Sequence, residues 1–232
     1  KGKWGRLKGR SCKDMHEIIL PRFGLPAHGA LVFYLTAGLI IFSFLATRKL
    51  SLVPGRLQSV LELVIDTFMT LCEENMGHKG IKYFAPIMTF ALYIFAANAI
   101  GFIPGLMPPT ANINITAGLA IACFSATHII GVKEHGIKYY KHFVGPAWWL
   151  FILMVPIEII GHVARPMSLS LRLFGNMMGH EKILDVFFIM MPVAYPLLAF
   201  ASVLGMLVIF IQTFVFSLLS MMYFGGAIEE SH

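Results

Sequence analysis

Ser168-Leu-Ser-Leu-Arg172-Leu-Phe-Gly-Asn176 sets one guanidinium inside a stretch otherwise apolar enough to lie in a membrane. An arginine cannot shed its proton at any accessible pH. At the centre of a membrane helix it costs roughly 2.5–3.5 kcal/mol on insertion scales. Such a cost persists where the charge faces a partner, a water cavity or an ion path. The plainer alternative is an arginine that snorkels to the interface or caps a helix.

Outward from this stretch the chain is apolar in blocks. No Asp, Glu, Lys or Arg occurs from Phe23 to Thr47, from Tyr83 to Val132, or from Val186 to Ile228. A membrane helix needs about 20 apolar residues, so these blocks hold one, two and up to two crossings. Over all 232 residues, 13% are charged, about half the usual share for a soluble domain. The chain is therefore read as a polytopic membrane protein. Its net charge of +6 does not point to nucleic acid, because the basic residues form no aromatic-interleaved patch. Arg48, Lys49 and Arg56 follow the first apolar block, and Lys133, Lys138 and Lys141 follow the third crossing. Clusters at the ends of spans are what the positive-inside rule produces. Cys12, Cys72 and Cys123 have no paired spacing for zinc or a redox dithiol and read as isolated thiols.

Residues 1–22 form a basic N-terminal segment with no assigned fold, since Gly2, Gly5 and Gly9 disfavour a helix. Residues 23–232 read as a single membrane domain. A first span is expected from about Gly29 to Thr47. After Pro54, the polar residues Gln58, Glu62 and Asp66 recur every fourth position among apolar ones, which suits an amphipathic helix at the membrane surface. A second span runs from about Tyr83 to Ile103 and contains Asn98. The turn-rich link Pro104-Gly-Leu-Met-Pro-Pro-Thr-Ala-Asn112-Ile-Asn114 leads to a third span, about Ile115 to Val132. Two long helices follow Pro146: the first interrupted by Pro156 and Pro166, the second from about Leu197 to Phe224. Counting Lys and Arg in the internal loops places the first basic loop in the cytoplasm, the Asn-rich link outside and the N-terminus outside. The basic residues of the N-terminal segment run against that assignment.

The penultimate helix carries most of the polar residues. At about 100° per residue, Glu158, Arg165 and Arg172 fall within ~40° on one stripe. On a straight helix Arg172 lies ~21 Å from Glu158 and ~14 Å from Glu181. This is one permanent cation with a carboxylate well to each side. Carboxylates and His180 can pass protons or hold water at ordinary pH. A fixed cation between them blocks a proton from moving straight through, so transfer past it needs an outside carrier. His162 also has the reading of a packed core histidine, and Arg165 that of a lipid anchor. Asn176 and Gln212 have that of amides linking helices. Asn98 and His128 carry little signal of their own. None of the histidines and carboxylates has a ligand spacing, so neither metal nor cofactor is expected.

The most specific stretch is Leu169-Ser-Leu-Arg172-Leu-Phe-Gly-Asn176-Met-Met-Gly-His180-Glu181. Around it stand Pro156-Ile-Glu158, Arg165-Pro-Met-Ser168-Leu and Phe210-Ile-Gln212-Thr-Phe-Val-Phe216. Upstream are Thr47-Arg-Lys-Leu50 and Pro109-Thr-Ala-Asn-Ile-Asn-Ile-Thr116. Together, over roughly residues 29–230, the chain resembles subunit a of F-type ATP synthases. That resemblance implies the stationary proton-channel subunit beside a rotating c-ring. Arg172 would face the rotor carboxylate and separate two offset half-channels. Asn176, Glu181 and Gln212 would line the half-channel open to the outside, Glu158 the one leading to the cytoplasm. His180 would fill a cavity that other members fill with a histidine at the position of Gly205. Asn98, His162 and Arg165 follow as second-rank channel residues. The resemblance further implies a strongly tilted C-terminal hairpin, the c-ring and peripheral-stalk b subunits as partners, an indirect link to the soluble catalytic head, and the bacterial inner membrane.

The reading is an all-α membrane protein of five to six membrane helices plus one amphipathic surface helix, not catalytic by itself. A self-contained proton-coupled transporter is the alternative, but it should hold its own carboxylate facing Arg172, and the sequence shows none at matching depth. The absence of inverted repeats also weighs against it. An intramembrane hydrolase using Ser168 or Ser170 with His162 lacks any serine–histidine signature or oxyanion site. No phosphate-binding loop is present, so ATP chemistry belongs elsewhere.

Overall fold

A computed structural model describes residues 27–48, 55–102, 108–136, 151–189 and 195–228. The expectations for residues 1–22, Lys49, Lys138–Lys141 and the turn around Pro192 lie outside these. Within them the chain forms six α-helices and no strand. They are α1 (Ala27–Thr47), α2 (Arg56–Gly80), α3 (Phe84–Ala99), α4 (Ile113–His135), α5 (Phe151–Ile189) and α6 (Tyr195–Ile228). Single 3-10 turns, Ile81–Tyr83 and Ile100–Phe102, flank α3, and a third, Pro109–Ala111, leads into α4.

This is an all-α membrane protein. Four stretches are long and apolar enough to cross a bilayer: Gly29–Thr47, Gln58–Phe102, Ile113–His135 and Ala199–Ile228. α5 is not among these stretches, yet it packs along α4 and α6. α5 has 39 residues and α6 has 34, so each is more than 50 Å long at about 1.5 Å per residue. A hydrocarbon layer is only about 30 Å thick. To stay within it, such helices must lie far from upright.

The expected interruption of α5 is corrected: the helix runs unbroken through both Pro156 and Pro166. Each proline removes one backbone donor, four residues after the carbonyl it would have met. Inside a membrane protein, packed neighbours make that loss tolerable. α2 likewise runs past Cys72 to Gly80, bending at Gly77, whose φ of 66° and ψ of −175° belong to a region essentially reserved for glycine.

Side-chain pairs fix the helix directions. Phe90 meets Phe216 and Phe95 meets Phe210, so α3 and α6 are antiparallel. Thr116 meets Ser170 while Phe124 meets His162, so α4 and α5 are antiparallel. Arg165 lies over Tyr223 and His180 against Gly205, so α5 and α6 form an antiparallel hairpin. A core of Ile87, Ile94, Cys123, Leu173, Met221 and Phe224 joins α3 to α6, and Cys72 and Met76 of α2 close one end. Exposed apolar residues crowd α1, where Phe33, Ile40, Phe44 and Leu45 are each about 60% exposed. In hydrocarbon that is an ordinary lipid-facing surface.

At one end of the bundle Glu134 accepts hydrogen bonds from Lys82 (2.9 Å) and from the Tyr83 hydroxyl. This ties the start of α3 to the end of α4. At the other end, Asn112 caps α4 by accepting from the Asn114 N–H at 3.0 Å.

Candidate functional site

Arg172 sits on the flank of α5, next to the face that packs into the core. Leu169, Leu173 and Met177 are each at most 4% exposed and lock that face, while Arg172 itself is exposed. Among the described residues it forms no ion pair or hydrogen bond. Ser168, Gly175 and Gly179 are exposed within roughly 60° of it around the helix. A Cβ placed on Gly175 or Gly179 would meet nothing within 4 Å. The guanidinium thus stands in a smooth outer surface of small residues, the kind that lets another helix approach closely.

Two polar groupings flank Arg172 along α5. Eight residues on, about 12 Å along the axis, the ring of His180 rests on α6 at Gly205. A Cβ at Gly205 would fall 2.2 Å from His180 Cε1 and 2.5 Å from Nε2, so only glycine leaves room for the imidazole. Phe102, in the 3-10 turn that follows α3, lies with its ring centroid 5.9 Å from that of His180. Glu181 is half-buried beside it. Ten residues the other way, about 15 Å from Arg172, His162 meets His128 of α4, ring centroids 5.3 Å apart. Arg165 holds its guanidinium 5.5 Å from the Tyr223 ring centroid.

Asn176 is half-buried one turn beyond Arg172. Gln212 of α6 is 8% exposed. The register set by Arg165–Tyr223 and His180–Gly205 puts it level with the Arg172–Asn176 turn. Below Gln212, the hydroxyls of Thr213, Ser217 and Ser220 donate to the carbonyls four residues back at 2.7–2.9 Å, so α6 carries hydroxyls at little polar cost. Asn98 of α3 is fully buried, and its Oδ1 accepts from the Thr110 hydroxyl at 2.7 Å. Its amide nitrogen has no partner among the described residues. Glu158 lies on α5, but its side chain is outside the described residues.

The structure therefore brings His180 and Gly205 together, levels Gln212 with Arg172, and sets His162 and Arg165 on the far side. What sequence reading missed is the partner of each: Phe102 for His180, Thr110 for Asn98, His128 and Tyr223 for the far grouping. Phe102, His128 and Tyr223 lie far along the chain from their partners, and Thr110 meets Asn98 only across the link between two helices, so no helical spacing could signal them.

Residues 30–225 match the family model described as ATP synthase A chain. The chain belongs to that family. It is 53% identical over 205 residues to ATP synthase subunit a 1 of Syntrophotalea carbinolica, covering 88% of this chain and 86% of that one. ATP synthase subunit a of Geobacter sulfurreducens is 52% identical over 194 residues, 84% of each chain. That of Trichlorobacter lovleyi is 50% identical over the same length and share. Membership makes the chain a proton-translocating, non-catalytic subunit of the Fo sector, multi-pass in a bacterial inner membrane.

Proposed function

We propose that this subunit offers two offset aqueous half-channels that load and unload carboxylates on a rotating c-ring, with Arg172 blocking direct leak between them. One observation carries the reading: a guanidinium exposed on a smooth helix flank at membrane depth, with a polar grouping roughly 12–15 Å to either side. A proton cannot pass the fixed positive charge. It must leave one half-channel on a carboxylate carried past Arg172 by another subunit, and enter the other half-channel from that carrier.

Residues 23–232 act here as one membrane domain. The end of the bundle bearing Lys79, Lys82 and Lys133 faces the cytoplasm, as does Arg48–Lys49, and the N-terminus lies outside. Glu158 then belongs to the inner half-channel. Glu181, His180, Asn176 and Gln212 belong to the outer one, with Asn98 behind them. Each proton crossing 100 mV delivers about 2.3 kcal/mol, which the rotor takes up as rotation. Peripheral-stalk b subunits hold this subunit still against the soluble catalytic head.

A self-contained transporter remains the contrasting mechanism, and reconstitution separates the two. The chain alone in liposomes should pass no protons under an imposed potential. Chain plus c-ring should pass them, and neutralising the ring carboxylate should stop the flux. Comparable flux through the chain alone would overturn the proposal.

A further inference from the structure

His128 and His162 face each other across the α4–α5 contact, and Phe124 stands edge-on to both, at 4.3 and 5.9 Å between ring centroids. The two rings border a cavity of about 20 Å³, enough room for one water. Thr127 and Cys123 of α4, Arg165 of α5 and Tyr223 of α6 supply its other polar walls. Pro166 lines it too, and having no N–H it cannot bond the carbonyl of His162, which leaves a backbone acceptor close by. Ala120, Leu169 and the Phe124 ring complete the wall, so the polar groups converge within a partly apolar chamber.

Depth gives this cavity a place. His128 lies seven residues, about 10 Å, inside the end of α4 at His135. His162 lies about 15 Å short of Arg172 along α5. The pair thus stands between the lysine-bearing end of the bundle and the central arginine. Arg165, exposed on the same stripe as Arg172, connects the cavity to the outer surface of α5.

We propose that His128 and His162, bridged by water in this cavity, form a proton-holding pair that feeds the path between the lysine-bearing face and Arg172. The inference rests on the two-path reading above and extends it. A neutral imidazole has one donor and one acceptor nitrogen. It therefore accepts a proton on one side as it releases one from the other, ending with the same charge in the opposite tautomer. Facing the pair are Arg165 from α5, Tyr223 from α6 and Cys123 from α4. Two imidazoles in contact take up protons one at a time, because a second positive charge on the pair is repelled by the first and by Arg165. The pair is then a local store that is refilled from bulk water.

The test uses the assembled complex in inverted vesicles, with ATP-driven proton uptake measured while pH is varied only on the lysine-bearing face. With the pair intact, uptake should fall by clearly less than about tenfold per pH unit across pH 6–8. In His128→Gln/His162→Gln uptake should follow bulk protons directly, falling about tenfold per pH unit across pH 6–8. His128→Gln alone should show the same straight line. An equal loss at every pH, with the profile's shape kept, would mean a merely structural role and would overturn the pair. So would a straight tenfold-per-unit line in the unaltered complex, which needs no variant. Arg172→Ala, run alongside, reports on the two-path reading separately: pumping surviving there would sink that reading, whatever the histidines do.

Discussion

Gly205 should not tolerate even one methyl group while His180 is present. A Cβ there would lie 2.2, 2.5 and 2.8 Å from three atoms of the imidazole. Unstrained carbon contacts sit near 3.5–4.0 Å, so the ring must retreat by roughly 1.3 Å or more. All three atoms belong to one rigid ring, so the whole imidazole has to move. Phe102, at 5.9 Å between centroids, stands on one of its exits. Overpacking of this kind costs about 1–3 kcal/mol, and for a chain of this size each kcal/mol lowers Tm by about 2–4 °C. Gly205→Ala should therefore lower the melting temperature of the purified membrane sector by several degrees and slow ATP-driven pumping. The decisive measurement is the cycle with His180→Ala. With the ring gone, the methyl occupies the space it left, so the double variant should be more stable than the two single costs together imply, with a coupling of about 0.5–3 kcal/mol. If Gly205→Ala costs the same with and without His180, the packing described here is wrong.

Two further perturbations follow from neighbouring geometry. Thr110→Val removes the only hydroxyl on the fully buried Asn98 Oδ1 among the described residues. It should destabilise by about 1–3 kcal/mol, and Asn98→Leu in the same chain should return part of that loss; thermal unfolding of the four proteins reads both effects. Gly175→Leu puts a bulky side chain into open space beside Arg172. It should leave the subunit's own stability unchanged or raised by up to about 1 kcal/mol, since leucine favours a helix more than glycine does, while sharply lowering rotor-coupled pumping. Normal pumping would show that this flank of α5 meets no partner.

How far the sequence alone could go is clear at particular residues. The charge-free blocks located α1, α3, α4 and α6 to within a few residues, because hydropathy over about 20 residues is a property of the local chain. The four-residue spacing of Gln58, Glu62 and Asp66 gave α2 its start, and Gln58 does donate to Glu62 at 2.8 Å. Its bend at Gly77 was invisible, since a lone glycine does not announce its φ. The prolines of α5 were over-read as breaks, because a rule drawn from helices in water ignores the packing that shields freed carbonyls. At the candidate site, Arg172 was singled out because its cost in a membrane is intrinsic to the residue. His128 was not, since its meaning comes from His162, 34 positions away and on another helix.

The most direct test of the central claim compares driven and passive proton flux in one preparation. The assembled complex, reconstituted in liposomes with Arg172→Ala, should lose ATP-driven pumping entirely while passive downhill leak persists or rises, because the barrier between the half-channels is gone. Pumping that continued near its normal rate would show that Arg172 is only a structural cation, and the account of two separated paths would be wrong.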